Sequence, residues 1–298
     1  MDLLKIGFLI VAMAASDASG AGLDAQVQAK VRPFPGVVSI YAKNLDSGAT
    51  YALRADEPVR TASTIKLAVM VEAFSAVAEG RAQWSDTVLL REEDKVSGSG
   101  IVRELSAGLR LPVRDLMNLM IVVSDNTATN LLVDQFTADA VNARMEKLGF
   151  IQTRLMRKVR GDGTQLKPAE GWSAEGRRPE NQKFGLGRTT PHEMVTLVER
   201  MERGEMVSPD ASRQMIDLLK RQQLTEGIAR HTGKLTVASK SGSLDALRSD
   251  VGIVYTPGGR IAMAITVDGM KDIDYSVANI GIVLIADLAQ VLIKGLAK

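Results

Sequence analysis

Strand-like segments occupy both ends of the chain, and helical segments fill the long stretch between them. Two turn sequences, Asp46-Ser47-Gly48 and Pro257-Gly258-Gly259, lie between strand-like runs and predict β-hairpins. The segment 275–294 is apolar but is interrupted by Asp287 and Gln290, which indicates a buried helix over one sheet face rather than a membrane span. The predicted strands are 37–42, 49–53, 235–241, 249–256 and 260–267. The two ends are therefore expected to meet in one antiparallel sheet, with a helical lobe inserted between them.

The middle of the chain has helical spacing, followed by a long segment without a clear period. This segment, 157–189, contains several Gly and Pro residues and mixed charges, which is typical of a functional loop or lid. After it, Thr190 as N-cap, Pro191 at the first helical position and Glu193 as the capping-box partner predict a new helix. The predicted helices before the loop are 63–79, 112–123, 127–137 and 139–148.

The composition excludes several classes of protein and site. Of the 298 residues, 45% are hydrophobic and 24% are charged, as in ordinary soluble globular proteins. The 37 Lys and Arg residues balance 35 Asp and Glu, so no nucleic-acid partner is predicted. Cysteine is absent, which excludes disulfides, thiol catalysis and Cys-ligated metals. His192-Glu193 lacks the second histidine at Thr196 that a zinc-binding helix needs. Neither a metal nor another cofactor is therefore predicted, and hydrolysis would need a base other than histidine.

The first residues have the pattern of an export signal. One cation, Lys5, precedes the apolar run 6–15, which is short for a bilayer span because a span takes about 20 residues. Small residues at Ala12 and Ala14 offer a cleavage site, and a second lies near Ala18. We predict a signal peptide over residues 1–20 and a periplasmic or secreted protein, with no stable membrane insertion after processing. A short membrane anchor is the alternative.

The helix predicted to start at Ser63 carries the first indication of chemistry. It is apolar on nearly every face through Val71, so it is expected to be buried, yet it contains Lys66. Three residues make one helical turn, which places Lys66 beside Ser63, and burial lowers the pKa of a lysine. A neutral amine can take the proton of a hydroxyl and activate it as a nucleophile. The alternative is an ordinary N-cap serine and a lysine that extends to solvent.

Two further short motifs follow. Ser124-Asp125-Asn126 lies at the junction of two predicted helices, and Lys240-Ser241-Gly242 lies at the end of a predicted strand. In such a position a lysine can supply charge, a serine can hydrogen bond to a carboxylate, and a glycine leaves room for a substrate. Each motif alone is also compatible with ordinary helix capping or solvent exposure. Their occurrence together, in this order and on the expected elements, is much more specific.

With these three motifs, the chain resembles the class A β-lactamase and penicillin-binding-protein superfamily from about Gly36 to the C-terminus. Gly98-Ser99-Gly100 and the segment 247–252 extend the resemblance. It implies an α/β lobe, with a five-stranded antiparallel sheet flanked by helices, and an all-helical lobe, with the active site between them. The implied segments are 25–60 and 195–298 for the α/β lobe, and 61–194, including the active-site loop 157–189, for the helical lobe.

The resemblance also implies catalytic roles for the matching residues. Ser63 is expected to be the acylated nucleophile and Lys66 its base. Ser124 is expected to relay a proton to the leaving nitrogen. The backbone N–H groups of Ser63 and Ser243 are expected to form the oxyanion hole.

Substrate contacts are implied in the same way. Asn126 is expected to hold the amide side chain of the substrate, and Lys240 and Ser241 are expected to bind its carboxylate. Gly242 allows close approach of the substrate. Arg248 either adds a contact to the carboxylate or forms a surface salt bridge.

One family element is missing. Class A enzymes carry an E-x-x-L-N sequence in the loop before the Thr-Pro helix start, and its Glu activates the deacylating water. The segment 153–157 resembles the approach to this loop, and continuing from it without a gap places Val159 where the Glu is expected. Three glutamates on the loop, Glu170, Glu175 and Glu180, are candidates for this role. We choose Glu180 because it comes closest to the next helix.

Three functions are compatible with this pattern. The first is an exported serine β-lactamase-like hydrolase in which another carboxylate supports deacylation. The second, favoured by the missing motif, is a penicillin-binding-protein-type D-alanyl-D-alanine carboxypeptidase or an esterase on the same scaffold. The third is a binding module that is acylated and signals. The expected partner is a β-lactam or a peptidoglycan-peptide-like small substrate, and we expect a monomer.

Overall fold

A computed structural model describes residues 22–297 of the chain, apart from the side chain of Thr164. The predicted signal peptide and its cleavage sites lie outside these residues. Within the described range, no helix is both long and apolar enough to cross a membrane.

Residues 22–297 form ten strands and nine α-helices. The strands are β1 (Val37–Asn44), β2 (Thr50–Leu53), β3 (Val59–Arg60), β4 (Thr87–Leu89), β5 (Arg110–Pro112), β6 (Arg154–Leu155), β7 (Gly187–Thr189), β8 (Val237–Leu244), β9 (Leu247–Thr256) and β10 (Gly259–Asp268). The helices are α1 (22–31), α2 (Lys66–Ala78), α3 (Val113–Val122), α4 (Asn126–Phe136), α5 (Ala138–Lys147), α6 (Ala174–Arg177), α7 (Pro191–Glu202), α8 (Pro209–Lys220) and α9 (Ile280–Leu296).

Five of these strands form one antiparallel sheet in the order β2-β1-β10-β9-β8. The pairing of β1 with β10, which sets Val37 opposite Asp268, joins the two ends of the chain. β8 pairs with β9 only, so its other edge is free within this sheet. The predicted five-stranded antiparallel sheet is confirmed, and the free edge of β8 faces the turn before α2.

Helices cover both faces of the sheet. α7 and α8 pack against one face, and their core continues into the helical lobe through the sheet residues Ala238, Val251 and Ile253. α9 packs on the other face and shares a second core with Leu23 and Val27 of α1. The predicted C-terminal cover is therefore correct, and the helical lobe and the sheet share one continuous apolar core.

Two elements differ from the sequence prediction in where they begin or end. The turn Ala62–Ile65 is a 3-10 turn, so the α-helix begins at Lys66 and Ser63 lies just before it. β8 continues to Leu244 because a tight hairpin joins it to β9. The Lys240-Ser241-Gly242 motif is accordingly inside the edge strand and not at its end.

The helix after the loop starts as predicted, but its capping differs. Thr190 Oγ1 accepts a hydrogen bond from Glu193 N at 3.1 Å, and Pro191 is the first residue of α7. The Glu193 carboxylate accepts instead from Gln152 N and Thr153 Oγ1, at 2.9 and 2.7 Å. The Glu193 side chain therefore connects α7 to the segment before β6 by hydrogen bonds and does not take part in a capping box. The loop itself contains α6 and two 3-10 turns, Gly163–Gln165 and Pro179–Phe184. It ends with β7, which pairs with β3 and β6.

Candidate active site

Ser63 lies in the 3-10 turn that faces the free edge of β8. The turn starts at Ala62, whose φ of +47° is rare for a residue with a side chain. A Cβ at Gly242 would lie 2.9 Å from Ser63 N and 2.8 Å from Thr61 O, closer than real contacts allow. Ser249 Oγ donates to Thr61 O at 2.9 Å and holds the turn against the sheet. Glycine at 242 is thus required for the strand to approach the Ser63 backbone.

Lys66 is fully buried and its amine lies between the two lobes. Nζ donates to Ser124 O at 2.7 Å, to Ser124 Oγ at 3.2 Å and to Asn126 Oδ1 at 3.1 Å. These three acceptors match the three hydrogens of an ammonium group. Ser63 lies one turn away, as expected, but among the described residues no hydrogen bond joins its Oγ to Nζ.

Ser124 lies at the junction of α3 and α4, with a φ of +56°. Its Oγ lies 3.2 Å from Lys66 Nζ and accepts a hydrogen bond from Lys240 Nζ at 2.9 Å. Lys240 is also fully buried, and its Nζ donates to Ser241 O at 2.8 Å. One hydroxyl therefore bridges two buried amines, one from each lobe.

Burial weakens the charged form of both lysines. It holds the pKa of Lys66 well below its usual value, and the charge of Lys240 lowers that pKa further, whereas Asp125 opposes the shift. Burial also lowers the pKa of Lys240 to about 7, against the opposing effect of Asp250. The cluster can therefore hold a neutral amine near neutral pH, which is the state a base needs.

Asp125 and Asn126 fix the position of a neighbouring loop. The Asp125 carboxylate caps α4 by accepting from Ala128 N at 2.8 Å, and it accepts from Ile101 N at 2.6 Å. Asn126 Nδ2 donates to Ser97 O at 3.0 Å, while its Oδ1 accepts from Lys66. The loop that carries Gly98-Ser99-Gly100 is thus bound both to Asp125 and to Asn126, and Asn126 also contacts the buried amine.

The register of β8 places the proposed oxyanion donors. Tyr255 N donates to Thr236 O, so this pair lies at a hydrogen-bonded position of the β8–β9 ladder. Because such positions alternate along an antiparallel pair, the N–H groups of Ser241 and Ser243 point to the free edge. Ser243 N–H and Ser63 N–H therefore lie on facing segments, and this arrangement is compatible with the implied oxyanion hole.

Arg248 is buried and does not form a surface salt bridge, so that alternative is wrong. Its guanidinium donates to the backbone carbonyls of Leu244, Leu247 and Asp274, and it lies 4.8 Å from the ring centre of Tyr275. Burial lowers the pKa of Arg248. The side chain is 1% exposed because the β8–β9 turn and Tyr275 cover it, and its contact with a substrate carboxylate stays a prediction.

Among residues 22–297, none of the three candidate glutamates of the loop forms a hydrogen bond or an ion pair with this cluster. Val159, at the family's Glu position, is fixed to α4 because its N–H and C=O pair with the Asn130 side chain, each at 2.8 Å. Glu175 accepts from Asn181 Nδ2 at 3.0 Å within the loop. Glu180 is exposed, and in the described chain it has no hydrogen bond or ion pair with the cluster. The structure does not bring Glu180 to Lys66, and its role as a base stays a prediction.

Two residues near the site were not singled out from the sequence. Asp250 is 2% exposed; its Oδ2 accepts from Ile228 N at 2.9 Å, and its Oδ1 has no partner. Burial raises the pKa of Asp250 to about 7. Tyr275 covers Arg248 and donates to Asp245 Oδ1 at 2.8 Å. Only the position of Asp250, next to the Arg248-Ser249 pair, could have indicated it.

Among residues 22–297, no group of three or more His, Cys, Asp or Glu is arranged to hold a metal.

The chain is similar to known β-lactamases over nearly all of the described residues. The model of the beta-lactamase enzyme family matches residues 22–296. Beta-lactamase L2 of Stenotrophomonas maltophilia is 28% identical over 224 residues, which are 74% of this chain and 69% of that protein. A β-lactamase structure from Sphaerobacter thermophilus DSM 20745 is 30% identical, with a TM-score of 0.78 over 92% of this chain and 96% of that one.

A penicillin-binding protein has the same fold. A variant of PBP-A, in an acyl-enzyme complex with penicillin G, is 26% identical, with a TM-score of 0.75 over 92% of this chain and 97% of that one. Both solved structures therefore share the overall fold of this chain. Because the family model spans almost the whole described chain, this protein belongs to the beta-lactamase enzyme family.

Proposed function

We propose that the protein is an exported serine hydrolase of the class A β-lactamase type, which opens β-lactam rings through an acyl-enzyme on Ser63. The observation that carries this proposal is the Ser124 hydroxyl, 3.2 Å from Lys66 Nζ and 2.9 Å from Lys240 Nζ, beside the Ser63 turn. The similarity to β-lactamases over residues 22–296 supports it.

Acylation follows from the residues of this cluster. Neutral Lys66 takes the proton of the Ser63 hydroxyl, and Oγ attacks the ring carbonyl carbon. The N–H groups of Ser63 and Ser243 stabilise the negative oxygen that forms. As the ring C–N bond breaks, Ser124 gives its proton to the nitrogen and regains one from a neighbouring amine.

Substrate binding uses the charge and the open edge of β8. Lys240, when protonated, attracts the substrate carboxylate, and the Ser241 hydroxyl can donate a hydrogen bond to it. Asn126 has one Nδ2 hydrogen beyond the hydrogen bond to Ser97, and this hydrogen is available to an amide carbonyl of the substrate.

Covalent labelling tests the proposal. The purified chain is mixed with penicillin G and with a chromogenic cephalosporin, and intact mass and product release are followed. We expect steady turnover and an adduct on Ser63, no adduct with Ser63→Ala, and acylation slowed by about 10²–10⁴ with Lys66→Met. Labelling of Ser63→Ala at the parent rate would refute the nucleophile assignment. The same change at an exposed position, Lys220→Met, serves as the control.

Export is a separate part of the proposal. Expression of the complete chain in a Gram-negative host should yield a periplasmic form that lacks the first residues, and N-terminal sequencing identifies the cleavage site. A chain that keeps Met1 and remains in the cytoplasm would contradict this part only.

A second function, a D-alanyl-D-alanine carboxypeptidase or an esterase, is favoured by Val159. This apolar residue is fixed to Asn130 at the position where the family has its deacylating Glu. A single stoichiometric burst of cephalosporin cleavage without steady turnover, together with release of D-alanine from a peptidoglycan-like peptide, would assign this function instead. A long-lived adduct without either turnover would indicate an acylated binding module.

A further inference from the structure

Four carboxylates lie on the loop 157–189, and one of them adjoins the residues that contact Lys66. Glu170 and Glu180 are exposed, and Glu175 accepts a hydrogen bond within the loop. Asp162, which the sequence did not single out, lies three residues after Val159, where the loop meets the segment containing Ser97. Any role of Asp162 in deacylation rests on the proposed β-lactam hydrolysis.

Backbone contacts hold Asp162 at this place. Its N–H donates to Ser97 Oγ at 2.8 Å, and Ser97 O accepts from Asn126 Nδ2 at 3.0 Å. Asn126 Oδ1 in turn accepts from Lys66 Nζ at 3.1 Å. Two residues, Ser97 and Asn126, thus connect the loop to the buried amine by direct hydrogen bonds.

Two glycines allow the loop to come this close. A Cβ at Gly161, where φ is +93°, would lie 2.5 Å from Ser97 Oγ. A Cβ at Gly98 would lie 2.6 Å from Asn126 Nδ2 and 3.5 Å from Asp162 Oδ2. The carboxylate of Asp162 and the amide of Asn126 therefore border the same small space, which any side chain at 98 would fill.

The Asp162 carboxylate also faces the open side of the site. The side chain is exposed and forms no direct ion pair among the described residues, although the charge of Arg103 lies close enough to interact with it. Across the cleft, the pKa of Tyr275 is raised to about 12 by burial and by Asp245, and the negative charge of Asp162 adds to this effect. Solvent water therefore has access to this carboxylate, which borders the Asn126 amide.

We propose that Asp162 is the general base of deacylation in this chain. Its carboxylate takes a proton from a water molecule, and the water oxygen attacks the ester carbonyl carbon of the Ser63 adduct. The bond from the carbonyl carbon to Ser63 Oγ then breaks, the proton held by Asp162 returns to the Ser63 oxygen, and the opened β-lactam leaves as an acid. The step consumes one water, and no other reactant is needed.

The test separates acylation from deacylation. Each variant is acylated with penicillin G, excess drug is removed, and the loss of the adduct is followed by intact mass. Acylation is measured in the same preparation by stopped flow. For Asp162→Asn we expect acylation within about twofold of the parent and deacylation slowed by about 10²–10³, since general-base assistance has this size. Asp162→Glu should recover part of the deacylation rate.

A matched control and a competing variant complete the design. Asp272→Asn makes the same chemical change at an exposed acid outside the loop and should deacylate at the parent rate. Deacylation at the parent rate by Asp162→Asn, or a permanent adduct on the parent chain, would overturn the inference and leave the nucleophile assignment intact. Slow deacylation confined to Glu180→Gln would overturn it in favour of Glu180. A parent chain that forms no adduct would refute both the proposed function and this inference.

Discussion

At the scale of single residues, the main feature of the site is the burial of two lysine side chains. Lys66 and Lys240 are both fully buried and share the Ser124 hydroxyl. Neither forms an ion pair with a carboxylate among the described residues, so burial is not offset by a salt bridge, and the pKa of each lysine falls. Within residues 22–297, the charge of Asp250 opposes this shift at Lys240.

The first prediction concerns the pH dependence of acylation. Lys240 has a pKa of about 7 and must be protonated to attract a carboxylate, so kcat/KM for acylation should fall as the pH rises through about 7. Asp250→Asn removes the charge that raises this pKa. The alkaline limb should therefore move to lower pH in Asp250→Asn, in a pH profile of acylation with penicillin G. Asp272→Asn should leave the limb in place, and an unmoved limb in Asp250→Asn would show that Asp250 does not act on Lys240.

At the scale of elements, the positions of the site residues depend on short connections more than on the helices and strands themselves. The α3–α4 junction presents Ser124, and the loop around Gly100 packs on the Asp125 carboxylate. A Cβ at Gly100, where φ is +103°, would lie 2.2 Å from the Asp125 carboxyl carbon. The N-terminus of α4, which carries Asn126, therefore depends on a glycine outside the helix.

The second prediction follows from comparing two glycines. Gly108 has a similar φ of +94° but open space around its Cβ position. Gly108→Ala should lower the free energy of unfolding by about 1–2 kcal/mol through backbone strain alone. Gly100→Ala adds a collision with Asp125 and should cost about 3–4 kcal/mol and slow acylation as well. Urea denaturation measures both changes, and equal losses for the two variants would contradict the proposed contact.

The sequence predicted the elements better than their contacts. Strands, helices and the Thr190 cap follow from periodicity and turn residues, which are local. The extent of β8 depends on its pairing with β9, and the partners of Lys66 depend on residues about 60 positions away. Arg248 shows the same limit, since only the folded β8–β9 turn and Tyr275 reveal that it is covered.

At the scale of the whole molecule, the two lobes share one core. Sheet residues such as Val251 and Ile253 belong to the same apolar cluster as α2, α3 and α4, and the second cluster lies under α9. Neither lobe can bury its own apolar surface completely without the other. The division into lobes describes where the cleft lies and not two independently stable units.

The third prediction is that both lobes unfold together. Hydrogen exchange followed by mass spectrometry along a urea series should give one midpoint for peptides from β10 and from α3. Val251 is 3% exposed in the shared core, so Val251→Ala should lower the free energy of unfolding by about 1–3 kcal/mol. The urea midpoints of both sets of peptides should therefore fall by the same amount. Separate midpoints, or a shift confined to the sheet, would show that the lobes are independent.

Because β8 lies at the free edge of the sheet and late in the chain, the cleft is completed only late in synthesis. Ser63 and Lys66, the proposed nucleophile and base, lie in the first quarter of the chain, whereas Lys240 and Ser243 leave the ribosome only near the end of synthesis. A nascent chain that already contains Ser63, Lys66 and Ser124 thus lacks one wall of its cleft. Reactivity toward penicillin should accordingly appear only once the last third of the chain has emerged and folded, which would make a fluorescent penicillin a reporter of completed folding.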